Sequence, residues 1–327
     1  MRLERTRPSA TLAGLGTCLP SRVVTNAELT RSFDTSDDWI VTRTGIRERR
    51  VTSPGTTVVD LAEAAARNAL ASAGADVQAL VLATTTPYRP CPAMAPEVAA
   101  RLGLTGAAAY DISAVCSGAV YGIANAVGLI TAGVADAVLV VCAETYSSIL
   151  DPEDRSTGVI FGDGAGAFVL RQGEADEPGA ILAIDLGSDG RHADLIARAA
   201  PDGRFRMAGT AVYRMASRTF ADTARQVMKG TGWAVEDVDA FVPHQANRRI
   251  TDAVVRELGL APAAAVGNID RVGNTSAASI PLALADGVRE GRPAPGHRTL
   301  LAAMGGGLTW GAAALVWPEV EVVSSEL

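Results

Sequence analysis

Hydrophobic and polar residues repeat along this chain with the spacing of helices that are followed by buried strands. In the segment DLAEAAARNALASAG, Leu61, Ala65 and Ala69 lie on one helical face. Glu63 and Arg67 lie on another face, as expected for a helix with one face in the core. The segment VQALVLATTT follows with the continuous apolar character of a buried strand. The pattern therefore predicts a helix that leads directly into a core strand.

The same order of elements recurs in the second half of the chain. FADTARQVMKGTG precedes VDAFVPHQAN, and Val77 matches Val238 at a separation of 161 residues. GAGAFVL at Gly164 matches GAAALVW at Gly311 at a separation of 147 residues. Two similar separations in the same order predict an internal duplication, with halves of roughly 150 residues. Chance similarity among segments rich in Ala, Gly and Val is the alternative.

The alternation of helices and apolar strands predicts an α/β protein in which helices cover mixed sheets. No Pro- or Ser-rich linker separates the two halves, so we expect them to share an interface. With a shift of 158 residues, Cys116 falls opposite Asn274. Both residues would then open equivalent helices beside a pseudo-twofold axis, where one site can combine groups from both halves.

Composition and charge narrow the classes of function. The 327 residues are 48% hydrophobic and 20% charged, which is enough apolar surface for a large core. The net charge is −7 and no block of like charge stands out, which argues against nucleic acid as a partner. The start, MRLERTRPSATLAGLG, lacks the apolar run of a signal sequence, and no segment reaches the roughly 18 residues of a membrane span. We therefore expect a cytoplasmic protein that does not enter a membrane.

The cysteines are Cys18, Cys91, Cys116 and Cys142, and their spacing matches neither metal ligands nor a redox motif. A structural disulfide is not expected in a reducing compartment. The spacing thus predicts no metal site and leaves open which of the thiols reacts.

Cys116 stands between a strand-like segment, AAAYDI, and the segment SGAVYGIANAVGLITAG, whose apolar character all round predicts a buried helix. The free N–H groups at a helix N-terminus stabilise a thiolate, lower the pKa of the thiol and can also receive an oxyanion. The alternative is that a small buried residue is needed where backbone elements crowd. This stretch alone supports both interpretations.

Three other segments carry candidate chemistry. FVPHQANRR places His244 just after a buried strand, and RVGNTSAAS places Asn274 in a turn. AAMGGGLTWG contains Gly305–Gly307, where the backbone amides can approach a ligand closely. Each segment also has a structural interpretation: a hydrogen-bonded histidine at a strand end, an ordinary turn, and a glycine hinge.

Together these segments resemble β-ketoacyl-acyl-carrier-protein synthase III and its priming relatives in the thiolase superfamily, from Leu12 to Trp317. The resemblance rests on DTSDDWIVTRTGIRERR, DISAVCSG, DPEDRST with FGDGAGA, VPHQANRR, GNTSAAS and GGGLTWG, in that order. It implies a homodimer with a duplicated five-layer α-β-α-β-α fold. The N-terminal half, residues 1–175, would carry the nucleophilic cysteine, and the C-terminal half, residues 176–327, the histidine and the asparagine.

The resemblance also implies a mechanism. Cys116 would take an acyl group from coenzyme A, and a malonyl thioester on an acyl carrier protein would then lose carbon dioxide and attack that group through its enolate. The N–H groups of Cys116 and Gly306 would form the oxyanion hole, while His244 and Asn274 would stabilise the enolate. Such a helix-activated cysteine does not need the histidine as its base. The reaction would need no metal or redox cofactor, because the acyl-coenzyme A and the malonyl thioester are substrates.

The same resemblance implies a route for the substrates. Trp39 and Arg155 would stack on the adenine of coenzyme A, and Arg43 would meet its phosphates. The pantetheine tunnel would be lined by Thr35, Gly209 and Asn247, and the carrier protein would dock on Arg248 and Arg249. A core tryptophan, a surface salt bridge and a solvated basic face are the alternatives for these side chains.

Three departures from the family pattern concern the acyl pocket. Met304 stands where phenylalanine is common, and Cys91 matches a loop residue that reaches the acyl pocket of the partner and is often bulkier. The segment at residues 191–209 is shorter than its counterpart. These departures predict a specialised priming enzyme of polyketide or related biosynthesis. The alternatives are transfer of the acyl group to an alcohol or amine without decarboxylation, and a catalytically silent acyl-binding subunit.

Overall fold

A computed structural model of the protein describes residues 9–198 and 203–327. Residues 1–8 of the predicted N-terminal half and residues 199–202 of the shortened segment lie outside the described residues. The strands are β1 Ser9–Leu19, β2 Val23–Thr25, β3 Glu48–Arg50, β4 Ala79–Ala83, β5 Ala108–Ile112, β6 Ala137–Glu144, β7 Gly164–Gly173, β8 Ile181–Ser188, β9 Ile196–Arg198, β10 Phe205–Met207, β11 Ala240–Pro243, β12 Arg298–Gly305, β13 Thr309–Val316 and β14 Val322–Glu326. The helices are α1 Asn26–Leu29, α2 Asp37–Thr44, α3 Val58–Ala73, α4 Ala95–Leu102, α5 Gly118–Thr131, α6 Arg155–Gly158, α7 Gly209–Thr231, α8 Arg248–Leu258, α9 Ile269–Val272 and α10 Ser279–Arg289.

Two mixed sheets form the centre of the molecule, and their strands follow the same order. The first runs β14-β1-β7-β6-β4-β5 and the second runs β8-β13-β12-β11. In both, a parallel pair, β4 with β6 or β11 with β12, is followed by two antiparallel pairs. The internal duplication predicted from the sequence is confirmed by this shared topology.

Helices cover both sheets in five layers. α3 packs on the outer face of the first sheet, α5 and α10 lie between the sheets, and α7 and α8 cover the second sheet. The predicted face of α3 is confirmed, because Leu61, Ala65 and Ala69 are fully buried. A capping box formed by Thr57 and Asp60 begins this helix, which makes its start independent of the core.

The central helix α5 is buried at the end that adjoins Cys116. At Gly122 an added Cβ would lie 2.5 Å from the Val140 side chain, so only glycine lets the helix approach β6 this closely. Towards the other end, Gly128 and Thr131 are exposed. The expectation of a helix buried on every side is therefore wrong for its last turns, which pass beyond the sheets.

The two halves are related by a constant shift of 161 residues around the site. This shift carries β6 onto β12 and the 3-10 turn Val115–Ser117 onto the 3-10 turn Ser276–Ala278. The structural counterpart of Cys116 is thus Ala277, and the expectation that Cys116 and Asn274 open equivalent helices is wrong. The connection from helix to strand has four residues, 75–78, in the first half and seven, 233–239, in the second, which accounts for the difference of three from a shift of 158.

The predicted boundary at residue 175 falls between β7 and β8, the last antiparallel strand of the first sheet and the edge strand of the second. β14 then returns to the first sheet and pairs with β1. The division into residues 1–175 and 176–327 stays a prediction. Within residues 9–198 and 203–327, no helix is long and apolar enough to span a membrane.

Candidate active site

Cys116 lies on a sharp turn between β5 and α5, as predicted. The residue before it, Val115, has a φ of 47°. A β-branched residue in the left-handed region is strained, and such strain persists where the surrounding structure holds a functional group in place. The glycine-rich turn after β12 packs against this elbow, since an added Cβ at Gly305 would lie 2.7 Å from the Cys116 backbone nitrogen.

The thiol of Cys116 is buried, with an exposed fraction of 6%. Burial raises the pKa of Cys116 to about 12, although the Ser276 hydroxyl and the backbone N–H of Cys116 each lower it in part. The expectation of a thiolate stabilised by the helix N-terminus is therefore wrong for the unoccupied chain, because loss of hydration outweighs the amide donors. Cys116 needs a proton acceptor before it can attack.

His244 follows β11 and points its ring at the same site. Its Nδ1 lies 2.6 Å from the Ser279 hydroxyl, which also accepts a hydrogen bond of 3.3 Å from the Gln245 N–H. A hydroxyl that accepts from Gln245 is free to donate to Nδ1, and this leaves the proton of the ring on Nε2. Burial lowers the pKa of His244 to about 3, so the ring is neutral near pH 7.

Asn274 is fixed by its backbone and by one atom of its side chain. Its N–H donates to the Ile160 carbonyl at 2.9 Å, and its carbonyl accepts from the Gly162 N–H at 3.0 Å. Its Oδ1 accepts from the Ser276 N–H at 2.9 Å. The carbonyl oxygen of the amide is thus occupied, which leaves its NH2 group to donate to a ligand.

Cys116, His244 and Asn274 line one small cavity of about 30 Å³. Its apolar wall consists of Phe161, Ile196, Phe205, Met207, Val212, Ala216, Phe220, Ala246, Ile250 and Met304. The rings of Phe161 and Phe205 pack edge to face with their centroids 5.1 Å apart. The structure therefore brings together the three residues of the predicted triad, with Met304 beside them.

A larger cavity of about 420 Å³ leads from this site to the surface. Both cavities are lined by Met207, Val212, Ala246, Ile250 and Asn274. The larger one is also lined by the predicted binding residues Trp39, Arg43, Gly209, Asn247 and Arg249. This continuous route is long and narrow at its inner end, as a tunnel for an extended thioester substrate requires.

Trp39 and two arginines form the mouth of this tunnel. The Arg155 guanidinium carbon lies 5.0 Å from the centre of the Trp39 ring, and that of Arg43 lies 5.9 Å away. A base stacked between two planes needs roughly 7 Å, twice the contact distance between carbon atoms. Arg155 must therefore move outward by about 2 Å before an adenine can lie between it and Trp39.

Asn247 has a structural task in addition to its predicted one. Its Oδ1 accepts from the Arg249 N–H at 2.9 Å and caps α8, while its Nδ2 donates to the Arg43 carbonyl at 3.0 Å. The Arg249 guanidinium lies 5.3 Å from the Tyr213 ring. Asn247 thus ties together the two arginines on either side of the tunnel mouth.

Several predicted site residues lie elsewhere. In the part of the chain that the structure describes, Thr35, Arg248, Cys91 and Gly306 line neither cavity. Cys91 is exposed in the loop before α4, and Arg248 pairs with Asp252 at 3.0 Å on the surface. At Gly306 an added Cβ would lie 2.9 Å from the Ile196 carbonyl, so this glycine lets the turn pass beneath β9.

Sequence reasoning missed three residues that support the site. Ser279 orients His244, and Arg49 donates to the Val159 carbonyl at 2.8 Å, next to the segment that holds Asn274. Glu144 ends the apolar strand AVLVVCAE and is fully buried behind Cys116. An acidic residue at the end of a wholly apolar strand was the available signal for Glu144. Ser279 and Arg49 belong to distant segments and had no such signal.

Two family models match the chain. The model described as 3-oxoacyl-[acyl-carrier-protein (ACP)] synthase III matches residues 110–190, which include Cys116. The model of the C-terminal part of the same proteins matches residues 228–317, which include His244 and Asn274.

Relatives match along almost the whole chain. β-Ketoacyl-[acyl-carrier-protein] synthase III 2 of Streptomyces coelicolor is 55% identical over 322 residues, covering 98% of this chain and 97% of the relative. The synthase III of Pseudomonas aeruginosa is 50% identical over 323 residues, covering 95% and 98%.

Solved structures show the same fold. The crystal structure of 3-oxoacyl-(acyl carrier protein) synthase III, FabH, from Pseudomonas aeruginosa has a TM-score of 0.93 at 51% identity, covering 96% of this chain and 99% of that one. The priming β-ketosynthase of the R1128 polyketide pathway has a TM-score of 0.91 at 34% identity, covering 97% and 98%. The thiolase-like α/β fold expected from the motifs is thereby confirmed.

Proposed function

The chain belongs to the 3-oxoacyl-[acyl-carrier-protein] synthase III family, and we propose that it primes a biosynthetic pathway by decarboxylative Claisen condensation. An acyl-coenzyme A would supply the starter and a malonyl thioester on an acyl carrier protein the extender. The observation that carries this proposal is the single buried cavity shared by Cys116, His244 and Asn274, at the inner end of a tunnel open to the surface.

In the first half-reaction the Cys116 sulfur attacks the thioester carbonyl of the starter. The C–S bond to coenzyme A breaks, and the acyl group remains on Cys116 as a new thioester. Backbone N–H groups of the elbow and of the glycine turn packed against it are suitable donors for the oxyanion, with those of Cys116 and Gly306 as the assigned pair. The oxidation state of the reacting carbons is unchanged, so the step needs no redox cofactor or metal.

In the second half-reaction the malonyl thioester enters the same tunnel. Loss of carbon dioxide leaves negative charge on the thioester oxygen, and the His244 Nε2–H and the Asn274 amide are the two buried donors that can receive it. The enolate carbon then attacks the acyl group on Cys116. Transfer to an alcohol or amine would form no enolate and would have less use for two such donors.

The two ends of the route predict a reciprocal pair of binding defects. Trp39→Ala should raise the KM for acyl-coenzyme A about tenfold and leave the KM for the malonyl carrier protein within a factor of two, because only coenzyme A has a base to stack. Arg249→Glu should do the reverse, because it places a negative charge where an acidic carrier protein docks.

Initial rates with each substrate varied in turn measure this pair, and each variant is the control of the other. The defect of Arg249→Glu should shrink at high salt, since a charge contact at the surface is screened. An equal rise of both KM values in either variant would contradict separate sites for the base and the carrier protein.

We propose further that the enzyme is specialised for its starter. Met304 in the cavity wall and the altered segment at residues 191–209 support a pocket unlike that of housekeeping relatives, and the R1128 priming enzyme is one of the similar structures. Competition among acyl-coenzyme A thioesters, with a chelator present and no added metal, tests this. Preference for a starter other than acetyl supports the proposal, and a tenfold or greater preference for acetyl counts against it.

The active unit is proposed to be a homodimer. β5 is the outer strand of the first sheet, with Tyr110 and Ile112 half buried along it. Pairing of this edge with a second copy would satisfy its free backbone groups and bring the exposed loop of Cys91 towards the partner. Light scattering should give twice the chain mass, and a monomer that is fully active would overturn this part of the proposal.

A further inference from the structure

A carboxyl group is buried behind the nucleophile, and the mechanism so far gives it no role. Glu144 is fully buried at the end of β6. Its Oε2 accepts from the Thr85 N–H at 3.0 Å and from the Thr86 hydroxyl at 2.9 Å. Among the described residues its Oε1 has no hydrogen-bond partner. A buried carboxyl group with one oxygen held and one oxygen free is costly unless it has a function.

Ser276 lies between this carboxyl group and Cys116. The Ser276–Ala278 turn packs against both β6 and the turn that carries Cys116. The Ser276 hydroxyl lowers the pKa of both Cys116 and Glu144, yet its oxygen completes no hydrogen bond within residues 9–198 and 203–327. It is therefore within reach of both groups and committed to neither.

The backbone holds Ser276 in place at a conformational cost. Its φ is 50°, in the left-handed region that non-glycine residues seldom adopt. The Asn274 side chain accepts from its N–H, which helps to fix this conformation. Strain of this kind is typical of sites where the direction of a side chain matters more than backbone stability.

We propose that Glu144 accepts the proton of the Cys116 thiol through the Ser276 hydroxyl and holds it while the acyl group is on Cys116. This inference rests on the proposed function, because it concerns the first half-reaction at the same cysteine. Glu144 acts through Ser276 and does not touch the substrate. It is a positioning residue that sets the protonation state of the nucleophile.

The protons balance over the whole cycle. As the Cys116 sulfur attacks, its proton passes to the Ser276 oxygen and the Ser276 proton passes to Glu144 Oε1. Coenzyme A leaves as a thiolate and takes a proton from water at the tunnel mouth. When the enolate attacks the acyl group, Cys116 leaves as a thiolate and recovers its proton from Glu144 through Ser276.

Glu144 suits this task better than His244. Burial raises the pKa of Glu144 to about 7, whereas it lowers the pKa of His244 to about 3. A general base works best with a pKa near the working pH, so the carboxylate is the stronger acceptor of the two. His244 then keeps its Nε2 proton for the enolate in the second half-reaction.

The proposal predicts how acylation depends on pH. The titratable groups that face Glu144 are Cys116 from the elbow, Cys142 from its own strand and Tyr146 from the turn after β6. Burial raises the pKa of all three, so Glu144 is the member of this cluster that changes charge near neutral pH. The competent form is the carboxylate, present above a pKa of about 7, and the rate of acylation should fall as the pH drops below it.

The test is single-turnover acylation of Cys116 by an acyl-coenzyme A between pH 5.5 and 9, followed by quenching and intact mass. Glu144→Gln should slow acylation about a hundredfold at pH 7.5 and remove the inflection near neutral pH. Ser276→Ala should have the same effect, because it interrupts the path of the proton. Glu144→Asp should restore the inflection, because a carboxylate is present again.

Asp163 provides the matched control. It is also a buried carboxyl group, but the N–H and hydroxyl groups of Thr52 and Ser147 bond both of its oxygens. Asp163→Asn should leave the pH profile of acylation unchanged, and thermal melting should verify that each variant is folded.

The outcomes separate this inference from the proposed function. Acylation of Glu144→Gln at the wild-type rate with the wild-type profile would overturn the inference. Faster acylation of Glu144→Gln would also overturn it, since that result follows if the carboxylate merely repels the thiolate. A wild-type protein that is not acylated at all would instead overturn the proposed function.

Discussion

Replacing Cys116 with alanine should abolish the acyl adduct and reduce formation of the β-ketoacyl product on the order of 10⁴-fold or more. The reason is that no other thiol lines the cavity that His244 and Asn274 share, within the residues that the structure describes. Intact mass after incubation with an acyl-coenzyme A, and product formation on the carrier protein, measure the two effects. Cys116→Ser should also fail, because a buried hydroxyl is a much weaker nucleophile than a thiol near pH 7.

The control for this variant is Cys18→Ala. Cys18 is also buried, in β1, and its thiol has a pKa that burial raises. Loss of that thiol should leave the acyl adduct intact. Cys116→Ala should also retain release of carbon dioxide from the malonyl carrier protein without condensation, because His244 and Asn274 remain. An acyl adduct that persists in Cys116→Ala would contradict the assignment of the nucleophile.

The second large effect concerns the donors. Asn274→Ala should leave acylation of Cys116 within about threefold of wild type and reduce release of carbon dioxide roughly a hundredfold to a thousandfold. His244→Ala should behave in the same way. Each removes one of two hydrogen bonds to an oxygen that becomes negative only after the acyl group has been transferred.

Rapid-quench measurement of the adduct and of released carbon dioxide distinguishes the two half-reactions. The pH sign also distinguishes His244 from a base: with a pKa of about 3, the ring stays neutral down to about pH 4 and should add no inflection to decarboxylation near neutral pH. Equal loss of acylation and decarboxylation in Asn274→Ala would contradict this division of labour.

Local patterns predicted the elements of the fold because each depends on neighbouring residues. The apolar face of α3 repeats within its own 16 residues, and Thr57 and Asp60 cap it locally. The elbow at Cys116 was predicted from a strand and a helix that adjoin it in sequence. The motif match then selected His244 and Asn274, whose proximity to Cys116 depends on the duplicated topology.

The properties that sequence reasoning missed depend on packing between distant segments. Whether Cys116 is a thiolate depends on burial by both halves, which no local helix end reveals, and the structure reverses the expected direction of its pKa. Ser279 and Arg49 act on His244 and Asn274 from other elements. The register of the two halves was off by three residues because it depends on the length of a loop. The gap between Trp39 and Arg155 likewise depends on side-chain positions that a motif does not specify.

One measurement tests the central claim most directly. Purified protein is incubated with a panel of acyl-coenzyme A thioesters, malonyl carrier protein is added, and intact mass and released carbon dioxide are followed together. The account predicts an acyl adduct on Cys116, followed by carbon dioxide and a β-ketoacyl carrier protein in equal amounts. An adduct that passes to an alcohol or amine without carbon dioxide would contradict condensation, and a protein that binds the thioester without any adduct would contradict catalysis at Cys116.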